Sequence, residues 1–99
     1  MTDITITNNP AEHRYEAHLD GELAGFAVYE LTDRLVIFTH TEVDSKFEGH
    51  GVGSALARFA LDDVRRVGTH QVLPLCPFIK SWIGKHPEYA DLVSGASAG

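Results

Sequence analysis

Three glycines, Gly49, Gly51 and Gly53, occupy every second position where the longest strand-like run is followed by the longest helix-like run of the chain. Glycine lets a backbone approach a bulky anion closely, and the first amides of a following helix attract negative charge. A diphosphate group suits such a turn. A Walker-type loop is excluded because no lysine follows, and the dinucleotide fingerprint fails because its third glycine would fall at Leu56. The alternative is a plain loop that needs glycine conformations.

Three further side chains are of the types that act as nucleophiles and bases. Cys76 precedes a helix-like run, and a helix N-terminus favours the thiolate. His40 and Glu42 stand two residues apart in a strand-like run, so we expect them to share a face with Phe38. A neutral imidazole accepts a proton from an amine directly, and a carboxylate can do so through water. The alternatives are a half-buried core cysteine and a structural histidine.

Four runs in which apolar and polar residues alternate must position these groups. The alternation predicts strands over residues 2–7, 13–19, 23–31 and 34–43. Asp20-Gly21 predicts a tight hairpin turn, because both central residues of that turn need a positive φ. In the fourth run the unbroken apolar residues 35–38 predict the most buried strand.

The apolar period changes to that of a helix after the glycine turn. It predicts a helix over residues 52–67 with Phe59 and Val67 on its apolar face, ended by Gly68. A short strand over residues 71–75 and helices over 77–83 and 87–93 follow. A strand after a crossover helix can pair in parallel with the fourth. The predicted fold class is therefore α+β (α/β-like), with a mixed, mainly antiparallel sheet of about five strands. One domain covers residues 1–93, and residues 94–99 form a flexible tail.

The bulk composition narrows the functional classes. The net charge of −6 over 99 residues argues against nucleic acid and anionic membrane surfaces as partners. Cys76 is the only cysteine, so an internal disulfide is impossible and a cytoplasmic location is expected. The six histidines have no metal-ligand spacing, so no metal site is predicted.

The glycine turn and two later segments carry a family resemblance. Glu48-Gly49-His50-Gly51-Val52-Gly53 resembles the pyrophosphate motif Gln/Arg-x-x-Gly-x-Gly/Ala of the GNAT superfamily of acyl-CoA-dependent N-acetyltransferases, with Glu48 in place of Gln/Arg. The segments Pro74-Leu75-Cys76-Pro77-Phe78 and His86-Pro87-Glu88-Tyr89 resemble a second signature of its small single-domain members. His40-Thr41-Glu42-Val43 is similar to their strand segment. The resemblance covers residues 12–93.

This resemblance implies a minimal GNAT fold that binds acetyl-coenzyme A as co-substrate. The backbone of Thr41 and Val43 would pair with the pantetheine amides like an added strand. The amides from Gly49 to Ser54 would hold the pyrophosphate, and the gap between the fourth and fifth strands would admit the thioester. The other implied cofactor contacts are His50, Val52, Pro74, Phe78 and Lys80.

The expected position of the reactive side chains near the thioester suggests roles for them. Cys76 would either form an acetyl-cysteine intermediate or protonate the departing CoA thiolate. His40, or Glu42 through water, would deprotonate the acceptor amine. The expected function is transfer of an acetyl group to an amine on a small molecule or a protein, by a monomer or weak homodimer. The alternatives are a catalytically weak CoA-binding module and an interaction protein whose fold holds no ligand.

Overall fold

Five strands form one mixed sheet in the computed structural model, which describes residues 3–95. The strands are β1 (Ile4–Asn9), β2 (Arg14–Leu19), β3 (Glu22–Leu31), β4 (Leu35–Val43) and β5 (Gln71–Pro74). Their order in the sheet is their order in the chain. The first four are antiparallel, and β5 is parallel to β4, with Phe38 opposite Pro74 at its last pair. This confirms the predicted fold class.

The β2–β3 hairpin turns at Asp20-Gly21, as predicted. Asp20 has a φ of 49° and Gly21 a φ of 82°, so both central residues are left-handed. Such turns match the right-handed twist of the strands that they join.

The helix α1 (Val52–Val67) crosses from the end of β4 to the start of β5. Gly68 ends it with a φ of 79°, and its N–H bonds to the carbonyl of Val64. Six residues of α1 are buried: Val52, Leu56, Ala57, Ala60, Leu61 and Val64. The prediction was wrong for Phe59 and Val67, which are 40% and 53% exposed. Phe59 lies at the border of the buried stripe, where Tyr15 meets one edge of its ring, and Val67 is the last residue of the helix.

Two shorter segments pack beside α1. The helix α2 (Pro77–Lys85) follows β5, and residues Pro87–Leu92 form a 3₁₀ helix where a third helix was predicted. Proline begins this segment, and the side chain of Tyr89 fixes it by donating a hydrogen bond to Asp62 of α1 at 2.6 Å.

All of these helices lie on one face of the sheet. That face carries the buried side chains Tyr15, Ala17, Tyr29, Val36 and Phe38. The opposite face has no helix over it among the described residues and is called the open face below. Leu35 and Ile37 lie on it and are only half-buried, so the prediction that β4 is buried along residues 35–38 was wrong. The reason is that the helices following β4 and β5 both pack on the Phe38 side.

The contact between α1 and the C-terminal 3₁₀ helix includes one bidentate ion pair. Arg65 donates to the two carboxylate oxygens of Asp91 at 2.8 and 3.0 Å, and to the carbonyl of Glu88 at 2.8 Å. The guanidinium of Arg65 lowers the pKa of the Asp91 carboxyl below its ordinary value. The native state therefore binds fewer protons at this carboxyl than the unfolded chain does.

Replacing Asp91 by asparagine should modestly lower the urea midpoint of unfolding at neutral pH. A carboxyl with a lowered native pKa stabilises the fold fully above its unfolded pKa, and this stabilisation is lost as the pH falls through the native pKa. The difference from the wild type should consequently vanish in strong acid. Asp33→Asn, at an exposed aspartate between β3 and β4, is the matched control. An equal deficit at neutral and strongly acidic pH would contradict this account.

Other expectations concern membranes, metals and the tail. No helix within residues 3–95 is long and apolar enough to span a membrane. In the same part of the chain, no group of three or more histidine, cysteine or acidic side chains is placed to hold a metal ion. Of the predicted tail, Ser94 and Gly95 form a turn, and residues 96–99 lie outside the described residues.

Candidate functional site

The strands β4 and β5 separate where β5 ends. Pro74 is the last residue of β5 and pairs with Phe38. The carbonyl of Phe38 then accepts the N–H groups of both Leu75 and Cys76, at 3.0 and 2.8 Å, because the chain turns away into α2. Residues of β4 beyond Phe38 therefore have no pairing with β5. A gap opens between β4 and the start of α2.

Two residues of β4 direct their backbone groups into this gap. Along a strand the N–H and C=O groups of successive residues point to alternate sides. Asp44 donates its N–H to Ala24 of β3, at 2.8 Å, and the carbonyl of Glu42 lies against Gly25 of β3. The backbone groups of the intervening residues, Thr41 and Val43, must then face away from β3. They form an unpaired strand edge along the gap.

The glycine turn presents the first amides of α1 next to that edge. Gly49 and Gly51 have φ values of 87° and 77°, and Gly51 is the N-cap residue of α1. No described side chain caps this end of the helix. The first intrahelical bond is donated by Ala55 to the carbonyl of Gly51. The N–H groups of residues 51–54 thus have no partner within the helix and carry the positive end of its dipole.

A cleft of about 320 Å³ connects the turn with the strand edge. Seven residues predicted for the cofactor site line it: Val43, Gly49, Gly51, Val52, Gly53, Ser54 and Phe78. Glu48, Phe47 and Trp82 complete the lining. Sequence reasoning did not single out Phe47. Its large apolar side chain directly before a polar glycine turn was the available signal.

The aromatic side chains of α2 hold the helix N-terminus in place. The ring of Phe78 packs on Gly53 so closely that a Cβ atom at Gly53 would lie 2.8 Å from it. The indole N–H of Trp82 donates to the hydroxyl of Ser54 at 2.9 Å. Because that bond occupies a lone pair of the Ser54 oxygen, the hydroxyl proton stays available to a ligand in the cleft.

His40 and Glu42 lie on the other side of the sheet. Both are exposed on the open face, with His40 Nε2 3.4 Å from Glu42 Oε1. The expectation that His40 shares a face with Phe38 was wrong. Val28 pairs with His40 and Tyr29 with Phe38, so Thr39 is the extra residue of a β-bulge. One inserted residue moves the following side chains to the opposite face.

Cys76 lies at the start of the gap, among the core residues on the helix side of the sheet. It is 2% exposed and is the N-cap residue of α2. Its thiol donates to the hydroxyl of Thr41, with Sγ and Oγ1 3.2 Å apart. The nucleophile and acid–base candidates are thus gathered around the gap, with Cys76 buried and the other two exposed.

Four predicted cofactor residues lie outside the cleft lining, and one of them is Thr41 of the strand edge. The N–H of His50 bonds to the carbonyl of Phe47 at 3.3 Å, so it is not free for an anion. Pro74 is half-buried at the end of β5. Lys80 is exposed on α2, where its N–H bonds to the carbonyl of Cys76.

The charges around the turn are not uniformly favourable to an anion. Glu48 lines the cleft and brings a carboxylate to it. The ammonium of Lys46 is 2.9 Å from a carboxylate oxygen of Glu22, which raises the pKa of Lys46. The attraction of the turn for an anion must come mainly from the helix amides.

Comparison with known proteins places this geometry in context. The family model of GCN5-related N-acetyl-transferases matches residues 14–92 of the chain. No match is found among curated proteins.

Solved structures share the fold. A GCN5-like protein of Staphylococcus aureus, studied by NMR, is 21% identical, with a TM-score of 0.69, and the match covers 94% of this chain and 90% of that one. A ribosomal-protein-alanine N-acetyltransferase of Brucella melitensis biovar Abortus is 14% identical, with a TM-score of 0.59 and coverages of 94% and 91%. The ribosomal-protein-S18-alanine N-acetyltransferase of Escherichia coli is 16% identical, with a TM-score of 0.57 and coverages of 73% and 66%. At these identities the likeness shows the fold alone.

Proposed function

The chain belongs to the GCN5-related N-acetyltransferase family, and on that premise we propose that it transfers an acetyl group from acetyl-coenzyme A to an amine. The observation that carries this proposal is the junction of two sets of unpaired backbone groups. The amides at the start of α1 and Val43, on the free edge of β4, line one cleft, and Thr41 lies two residues before Val43 on the same edge.

The two sets fit the two halves of coenzyme A. The pyrophosphate binds to the amides of residues 51–54 and to the hydroxyl of Ser54, because a helix N-terminus is suited to anions. The amides of the pantetheine arm pair with Thr41 and Val43 as an added strand does. Phe78 and Trp82 form an apolar wall, and Lys80, exposed on α2, supplies a point charge for the outer phosphate.

The chemistry then takes place at the gap. Acetyl-coenzyme A supplies an activated acyl group. The amine lone pair forms a bond to the thioester carbonyl carbon, and the carbon–sulfur bond breaks. His40 takes the proton released by the nitrogen, directly or with Glu42 through water. A backbone N–H of the free β4 edge that is not paired with the pantetheine arm stabilises the negative charge on the carbonyl oxygen.

The leaving thiolate needs a proton donor, and Cys76 is the candidate nearest the gap. Its side chain is buried and its proton is directed at Thr41. A thiol held in this way is poorly placed to attack a thioester but can return a proton to a neighbouring thiolate. Direct transfer is accordingly the proposed route, with Cys76 as acid.

Incubation with acetyl-coenzyme A should leave the intact mass of the protein unchanged. Cys76 is the only cysteine, so any thioester adduct would map to it without ambiguity. Intact mass spectrometry with and without hydroxylamine makes the measurement, and Cys76→Ala supplies the blank. One hydroxylamine-sensitive acetyl group, together with complete loss of turnover in Cys76→Ala, would establish the acetyl-cysteine route instead.

Replacing Glu48 by glutamine should tighten the binding of coenzyme A. The carboxylate lines the same cleft as the helix amides and repels the pyrophosphate. Partly exposed charge pairs are worth up to about 1 kcal/mol, so the dissociation constant should fall by up to about fivefold. Isothermal titration at low ionic strength measures this. Glu12→Gln, with the same charge change in the turn after β1, should have no effect, and an equal gain from both variants would point to net charge alone.

A ligand titration followed by a turnover assay tests the function. Coenzyme A at 100 times its dissociation constant should stabilise the fold by about 2.7 kcal/mol, which a thermal shift detects. Release of free thiol from acetyl-coenzyme A in the presence of amines then measures transfer. A thermal shift without turnover of any amine would contradict acetyl transfer and support the alternative of a CoA-binding module. The absence of a shift at millimolar coenzyme A would remove the proposal altogether.

A further inference from the structure

The open face carries a row of large apolar side chains. Cross-strand partners identify its members, because residues opposite each other share a face. Phe26 pairs with Glu16 and Glu42, and Val28 pairs with Arg14 and His40. Five apolar side chains on this face are half-buried: Phe26, Val28, Leu35, Ile37 and Leu73. The row therefore crosses β3, β4 and β5 on the side away from the core.

This row is continuous with the proposed proton acceptor. The rings of Phe26 and His40 lie 6.3 Å apart, and Val28 is the register partner of His40. The cofactor cleft opens on the helix side of the gap, so an acceptor amine reaches the thioester from the open face. A molecule that contacts the apolar row is placed directly beside His40.

The small cavity at the end of the apolar row limits the size of the group that it can bind. The cavity at the end of the row is lined by Leu23, Ala24, Gly25, Phe26, Glu42 and Asp44, and it has a volume of about 100 Å³. Enclosed sites for small molecules occupy roughly 300–1,000 Å³. This cavity admits one side chain, and the rest of the open face is a broad surface. Most of the binding must come from that surface.

The acidic side chains near the row favour an acceptor of positive charge. The carboxylates of Glu42 and Asp44 line the small cavity, and the chain as a whole has a net charge of −6. The guanidinium of Arg14 lies over the ring of Phe26, 4.7 Å from its centroid, and its charge is already paired with Glu16 at 2.7 Å. A positively charged partner is therefore favoured at the end of the row.

We propose that the open face binds the acceptor as a polypeptide segment that combines basic and apolar residues and presents a lysine or N-terminal amine to His40. This inference rests on the proposed acetyl transfer and names its acceptor class. The apolar side chains of the segment cover Phe26, Val28 and Ile37, and one basic side chain enters the cavity beside Glu42.

A peptide titration tests the surface without relying on turnover. The probe is the capped hexapeptide acetyl-Leu-Arg-Lys-Leu-Arg-Leu-amide, added at saturating coenzyme A to isotope-labelled protein and followed by amide NMR shifts. We expect the shifts to concentrate on β3 and β4 around Phe26, Val28 and Ile37. Ile37→Arg should weaken peptide binding by about tenfold or more, as loss of a central apolar contact does. The added guanidinium has Glu30 as register partner, which favours folding, and an unchanged thermal shift with coenzyme A verifies the fold.

The control variant is Thr5→Arg, which adds the same charge on the same face at the edge strand β1. It should keep the binding of the wild type. In the turnover assay, the hexapeptide should have at least about a tenfold higher kcat/KM than Nα-acetyl-lysine amide, whose ε-amine is free. Ile37→Arg should remove that advantage while leaving kcat/KM for the small amine unchanged.

Three outcomes would overturn this inference. They are no peptide shifts at millimolar probe, shifts located elsewhere, or a dimer in sedimentation that Ile37→Arg dissociates, which would make a second copy the occupant. Peptide binding without acetylation of any amine would remove the proposed function while leaving the surface intact. Acetylation of small amines without peptide binding would support the proposed function and remove the peptide-binding surface.

Discussion

Replacing His40 by alanine should lower kcat for acetyl transfer by about a hundredfold, with little change in the binding of acetyl-coenzyme A. A positioned general base contributes roughly 10²–10⁴-fold to a rate. The lower end applies because Glu42, 3.4 Å from the imidazole, can still act through water. The imidazole lies on the open face and away from the cleft, so the dissociation constant of the co-substrate should stay near that of the wild type. Steady-state kinetics with isothermal titration separates the two quantities.

His18→Ala is the matched control for this change. His18 is a half-buried histidine on β2, and the strand β3 separates it from β4 and the gap. Its loss should leave kcat within about twofold, as expected for surface positions outside a site. A strong rescue of His40→Ala by added imidazole would support proton transfer. Equal kcat values for the two histidine variants would show that His40 is not the base.

The position of His40 could not be derived from alternation alone. The pattern of β4 places it with Phe38, and only the pairing with β3 reveals the inserted Thr39. A polar residue in a strand has no local signature that marks it as a bulge, because a bulge is a property of two strands. The consequence is functional, since the bulge directs His40 and Glu42 to the open face and leaves Thr41 on the cleft side.

Local signals were sufficient elsewhere. The Asp20-Gly21 turn and the Gly68 helix end depend on left-handed backbone angles that few residues accept, so their positions were predictable. The pairing of Trp82 with Ser54 depends on how α2 packs beside α1, and no spacing in the sequence specifies that. The open face could not be predicted either, because the run from residue 35 to 38 is equally apolar whether helices cover one side of the strand or both.

Replacing Gly51 by alanine should weaken the binding of coenzyme A by about ten- to hundredfold. Gly51 has a φ of 77°, and a Cβ atom there would meet nothing within 4 Å. The cost is therefore backbone strain of roughly 1–2 kcal/mol and not a clash. Rotation of φ relieves that strain but turns the amides of residues 51–54 away from the cleft. Each hydrogen bond lost to a charged group costs about 1.5–3 kcal/mol, which gives the stated range for one such bond.

Gly21→Ala separates strain from binding. Gly21 has a φ of 82° and equally open surroundings, but it lies in the β2–β3 turn. Both variants should lose similar stability in urea, because the same left-handed angle is imposed on alanine. Only Gly51→Ala should raise the dissociation constant in isothermal titration. If the two variants bound coenzyme A equally well, the amides of the glycine turn would not be the anion site. The cofactor would then have to be held by the edge of β4 alone, which offers two residues and no positive dipole.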